Sequence, residues 1–204
     1  MLNHTKITLS PDELLLVKNS DWILTKRNIV DKAVLLFSGL CDNLRDIIEA
    51  NKAALPKAAF FSEPKISKGE NYRQLPYVIL DYPRNFAVGN IFAVRMMFWW
   101  GNFFSITLQL TGDHKKLFYE NIDGKIMLVR QEEYYLCINE DQWQHHFEED
   151  NYIPVNSKTD DELIDILQQQ SFIKIARQYP LSQWNEMPAL LERSFSEMIQ
   201  LVKT

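Results

Sequence analysis

Between Ile91 and Thr111 the apolar residues form two runs of strand length, IFAVRMMFWW and FFSITLQLT, separated by Gly101-Asn102. The second run alternates, with Phe104, Ile106, Leu108 and Leu110 on one side and Ser105, Thr107, Gln109 and Thr111 on the other, which is the period of a strand. A Gly-Asn pair suits a two-residue hairpin turn, and such a turn places Trp100 opposite Phe103 and Arg95 opposite Leu108. Opposed residues share a face. One face then carries Ala93, Arg95, Met97 and Trp99 beside the four apolar residues of the second arm. The other carries Phe92, Val94, Met96, Phe98 and Trp100 beside Phe103 and the polar set. Neither is a plain solvent face, so the hairpin is predicted to be central and covered on both sides.

Helical periodicity dominates the N-terminal quarter. Ser10-Pro11-Asp12-Glu13 is a capping box with proline in the first turn, predicting a short helix to about Val17. Asn19-Ser20-Asp21 marks a break or second cap. From about Lys26 to Asn51, Val30, Ala33, Val34, Phe37, Leu40, Cys41, Leu44, Ile47 and Ile48 recur at three- and four-residue steps. That stripe predicts a helix of roughly 39 Å, long enough to cross a sheet.

Residues 55–75 look irregular but ordered, with Phe60, Phe61, Ile66 and Tyr72 to bury. A strand is predicted over Tyr77–Tyr82, stopped by Pro83. Asp123-Gly124 reads as a second hairpin turn between 117–122 and 125–130, and Tyr134–Ile138 as a further strand. Asn139 is placed to cap a helix to about Phe147, and Thr159–Glu162 is a capping box for another. Helical segments near 172–178 and 187–202 close the chain. The expectation is one α+β domain over 1–204, with helices over about 10–54, strands over about 77–138 and helices over about 140–203. Its sheet is an antiparallel meander of five or six strands, with the long N-terminal helix packed across it.

Composition adds limits. A chain of 204 residues, 46% hydrophobic and 24% charged, is ordinary for a folded domain. No apolar run approaches the ~18 residues that span a bilayer, and the start lacks a signal-peptide pattern, so the expectation is a cytoplasmic protein off the membrane. Cys41 and Cys137 read as buried thiols rather than a disulfide. Charge is uneven. Residues 132–165 hold eleven acids and one base, a net −10 against −5 for the whole chain, which leaves +5 elsewhere. An acidic chain with no long basic run has little to neutralise phosphates, so no nucleic acid is expected.

The motifs of α/β-hydrolases, P-loops, dinucleotide folds, zincins and C-x-x-C sites are absent. His145 and His146 precede Glu148, Glu149 and Asp150, but a helix would offer only two ligands on one face, and the segment reads as a solvated helix end with no metal. His4 and His114 have no motif around them. Arg95 stands out as a charge on an apolar strand face, since a desolvated guanidinium needs an acid or an anionic ligand. Asp81 is the obvious internal partner. The alternative is a pocket floored by the hairpin, in which Arg95, Arg84 or the donors Lys65, Lys68, Tyr72 and Arg73 hold a carboxylate or phosphate and Trp99 and Trp100 supply walls. The resulting expectation is a non-catalytic module that binds a small anionic ligand or a protein through the hairpin, with no cofactor. The alternatives are an enzyme using Asp81 or His114 as acid or base, and a structural homodimer.

Overall fold

The computed structural model describes residues 7–60, 62–120 and 122–203; His4 and Phe61 lie outside them. Two helices lead the chain, α1 (Pro11–Lys18) and α2 (Ser20–Ala50). Ser10 and Glu13 form the reciprocal capping box, and the Asn19 side chain caps α2 by accepting from the Trp22 amide. Four strands follow: β1 (Lys65–Tyr72), β2 (Leu75–Ala87), β3 (Asn90–Trp99) and β4 (Phe103–Thr111). The chain then makes α3 (Gly112–Phe118), α4 (Ile122–Gln131), β5 (Tyr135–Cys137), β6 (Tyr152–Pro154), α5 (Asp160–Gln169), β7 (Phe172–Pro180) and α6 (Met187–Leu201). The class is α+β, but among the described residues the sheet has seven strands rather than five or six. Their order is β1-β2-β3-β4-β7-β5-β6, with every neighbour antiparallel. Among the described residues no helix is long and apolar enough to cross a membrane.

The central hairpin is present, but its register differs by one position from the predicted one. Trp99 pairs with Phe103 and Phe92 with Leu110, so the loop has three residues, Trp100-Gly101-Asn102. Only Gly101 of the Gly-Asn pair takes a positive φ, +73°, whereas a two-residue type I′ turn needs both. The Asn102 amide instead donates to the Trp99 carbonyl at 3.1 Å. Shifting one arm by one residue exchanges its faces. Arg95 therefore stands opposite Thr107, not Leu108, and the two apolar sets fall together.

That exchange sorts the sheet. One face carries Val78, Leu80, Phe92, Val94, Met96, Phe98, Phe104, Ile106, Leu108, Leu110, Ile173 and Ile175, in one continuous core with the α2 stripe and with Leu191, Phe195 and Met198 of α6. The other face carries Asp81, Arg95, Ser105, Thr107, Gln109 and Lys174, and it too is buried apart from a partly open Arg95. No helix covers it. Residues 138–151 do, as an extended loop.

Further expectations are corrected. β1 occupies a stretch read as irregular, and β2 runs on past Pro83 through a cis Tyr82–Pro83 peptide and a register shift between Asp81 and Arg84. Asp123-Gly124 lies inside α4, not in a hairpin. There Ile126 and Val129 pack inward while Lys125 bonds the Leu117 and Phe118 carbonyls at the end of α3, stabilising a helix C-terminus. Residues 172–178 are strand, not helix. Asn139 accepts from the Asp141 amide in a local turn rather than capping a helix over 140–147.

Candidate functional site

Strand pairing sets Asp81 directly across from Arg95. The Arg95 Nε donates to Asp81 Oδ1 at 2.7 Å and Nη2 donates to Oδ2 at 3.0 Å, a bidentate pair with both side chains largely enclosed. The Phe86 ring lies 5.6 Å from the guanidinium carbon. Nη1 reaches His145 Nε2 at 3.2 Å. A guanidinium only donates, so Nε2 accepts and the ring is neutral with its proton on Nδ1. Burial, with the Lys174 and Arg95 cations nearby, pushes the His145 pKa well below its ordinary value.

Lys174 of β7 is 1% exposed and opposes Gln109. Its Nζ donates to the Gln142 carbonyl at 3.0 Å and to that of Gln144, and it lies over the Tyr152 ring. Burial brings its pKa down to about 8. Gln109 donates to the Gln142 side chain at 2.8 Å. These bonds hold residues 142–144 onto the sheet through carbonyls that a helix would have used internally. Cys137 donates weakly to Asn151 at 3.4 Å, and burial raises its thiol, the mark of a packed rather than reactive cysteine.

Tyr72, at the end of β1, is the other anchor. Its hydroxyl oxygen accepts from the His145 amide at 2.6 Å and the His146 amide at 3.1 Å. With both lone pairs used, its proton goes to His146 Nδ1, 3.2 Å away. The neutral ring then carries its own proton on Nε2, facing Asp150 Oδ1 at 3.0 Å. The fold adds Glu148 as a third potential metal ligand, within 4.8 Å of these atoms. Glu148 is already paired with Arg73 at 2.7 Å, and a cation on Nε2 would have to displace its proton.

The remaining candidates do not converge. Lys65 is exposed on the edge strand, Lys68 bonds Asp31 of α2 on the helical side, and Arg84 donates to the Glu63 carbonyl. Trp99 is buried with Ile79 and Met97 on the polar side, whereas Trp100, in the turn, packs toward the helices. Asp81, Arg95, Tyr72 and Trp99 thus share one face, joined by Lys174, Gln109, Cys137 and His145, which the sequence pattern did not group with them. The signal for Lys174 was present in the alternation of Phe172–Tyr179. Residues 138–151 close this face, with Arg95 paired to Asp81 and the Lys174 ammonium held by backbone carbonyls.

The exposed feature of the molecule is elsewhere. α1 buries none of its residues, and α2 buries none before Val30. The arm they form presents Leu14, Leu15, Leu16, Val17, Trp22, Ile23 and Leu24 to solvent, Leu15 at 69% and Val17 at 70%. Where the arm meets the sheet edge there is a groove of about 580 Å³, lined among others by Ile23, Arg27, Val30, Lys68 and Glu70. Comparison with known proteins gives no match to a family model, a curated protein or a solved structure.

Proposed function

We propose that the protein is a non-catalytic protein-binding module whose contact surface is the N-terminal helical arm, not the central hairpin. One observation carries this reading: four consecutive apolar residues of α1 and three more of α2 are exposed together. Contiguous apolar surface of this kind marks an interaction site, and an eight-residue helix has little intrinsic stability without a packing partner. The hairpin face supports the reading by contrast, because Arg95 is already bonded to Asp81 and His145.

A photoreactive benzoylphenylalanine at position 16 tests it, with the same residue at Met127, an exposed position on α4, as control. After irradiation in the cells that make the protein, position 16 is expected to give a discrete protein adduct, identified by mass spectrometry, and position 127 none. Equal or absent labelling at the two positions overturns the reading.

A further inference from the structure

The charges along the arm are arranged with opposite signs at its two ends. Asp12 and Glu13 stand near the start, Lys26 and Arg27 near the end, with Lys18 and Asp21 on either side of the Asn19 break. Laid antiparallel on a copy of itself, with the midpoint between residues 19 and 20, the arm pairs Asp12 with Arg27, Glu13 with Lys26, and Lys18 with Asp21. The same alignment sets Leu15 opposite Leu24, Leu16 opposite Ile23, Val17 opposite Trp22, and Leu9 opposite Val30. A parallel alignment would instead put Asp12 against Asp12 and Arg27 against Arg27.

Resting on the reading of the arm as a contact surface, we propose that the partner is a second copy of this chain, its arm packed antiparallel on the first about a two-fold axis beside Asn19. A two-fold interface must be self-complementary, residue i meeting j while j meets i, and the arm meets that condition in both charge and apolarity. Glu13 is engaged in its capping box and Lys26 with Glu70. Among the described residues Asp12, Lys18, Asp21 and Arg27 form no ion pair within the chain, and they are the four that make two complementary pairs. Leu16 on α1 and Ile23 and Arg27 on α2 lie on either side of Asn19, whose φ of −92° and ψ of 88° separate the two helices, so the copy would meet two short apolar segments rather than one continuous stripe. The arm cannot satisfy the pattern on itself, since the leucines of α1 and Trp22 to Leu24 of α2 all remain exposed. In the pair, the partner's Leu9 and Asp12 reach the groove at Val30 and Arg27.

The test uses the purified full chain, with light scattering and sedimentation from about 1 to 100 µM. The expected mass is twice 24.1 kDa. Asp12→Arg and Arg27→Asp are each expected to weaken the dimer on the order of tenfold, because two symmetry-related pairs turn from attraction to repulsion. Mixing the two variants is expected to restore dimers, each made of one copy of either kind, since the reversed charges then meet. Both positions are exposed, and circular dichroism checks that the variants fold. A wild-type monomer throughout this range overturns the proposal, as does a dimer indifferent to both changes or a mixture that fails to recover. A monomer that still gives a foreign protein adduct at position 16 refutes only the self-pairing; no adduct and no dimer refutes the binding surface as well.

Discussion

At the scale of single residues, the physics of the buried face turns on unequal charges. Breaking a buried ion pair by removing one partner leaves the other uncompensated, at about 3–5 kcal/mol, whereas replacing both with apolar groups is often neutral. Arg95→Met is therefore expected to lower urea stability by that amount, and Arg95→Met with Asp81→Leu to recover most of it; equal losses would show that the packing around the pair, not its charge, carries the energy. Protonation gives a second expectation. His145 is held below its ordinary 6.5, so under that pH the unfolded chain binds a proton the native one does not, and stability falls as pH falls. Lys174 titrates near 8 when folded and near 10.5 when unfolded. Between about 8 and 10 the unfolded chain again holds the extra proton at this site, which makes stability rise with pH, while the raised thiols of Cys41 and Cys137 act in the opposite direction above about 9. Urea midpoints across this range should show both slopes. His145→Gln should flatten the acid one, leaving the smaller share of His114, which burial also lowers, and Lys174→Met should reduce the alkaline one, leaving the shares of Lys115 and Lys125, which burial also lowers.

Whole elements were legible where one signal dominated. The body of the long helix and the alternating hairpin were plain in the pattern, although the helix starts at Ser20 rather than near Lys26, and Asp81 was one of the two partners the sequence offered for Arg95. What failed were elements whose buried residues are polar. The Ile173-Lys174-Ile175 alternation of β7 does not say that its polar member is buried, Lys125 hides the inner face of α4, and the carbonyls of 142–144 answer to a lysine some 30 residues away. Those are tertiary facts that local periodicity does not encode. Turn chemistry was the other weak point, because a Gly-Asn pair is compatible with loops of two or three residues and only the φ of Asn102 decides. The turns also give a contrast to measure. Gly101 has φ +73° and open space where a β-carbon would sit, so Gly101→Ala should cost about 1–2 kcal/mol from backbone strain alone. Gly112 has φ +58°, and a β-carbon there would lie 2.2 Å from the Gly89 carbonyl oxygen, which forces the start of α3 away from the β2–β3 turn. Gly112→Ala should be clearly the worse of the two in urea denaturation, and similar losses would mean that the contact relaxes without strain.

For the molecule as a whole, the question is whether the arm belongs to the fold or only to its contacts. Core burial begins at Ile29 and Val30 on α2, and the residues of α1 are all exposed, while α2 before Ile29 touches the sheet edge through bonds such as Lys26 with Glu70. A chain lacking residues 1–18, which keeps the Asn19 cap of α2, should therefore keep the sheet, both its covers and the α2–α6 layer. In dilute solution its urea stability should match the full chain within the ~0.5 kcal/mol typical of surface changes. Concentration separates the two. Association stabilises the native state by mass action, so the melting temperature of the full chain should climb with protein concentration while that of the shortened chain stays level. A large loss in dilute solution would instead mean that the arm supports the core, and its exposed leucines would then need an explanation within the monomer. Parallel climbs would place any self-association on another surface, the open edge of β1 being the first to examine, since an unpaired strand offers its backbone to a second sheet.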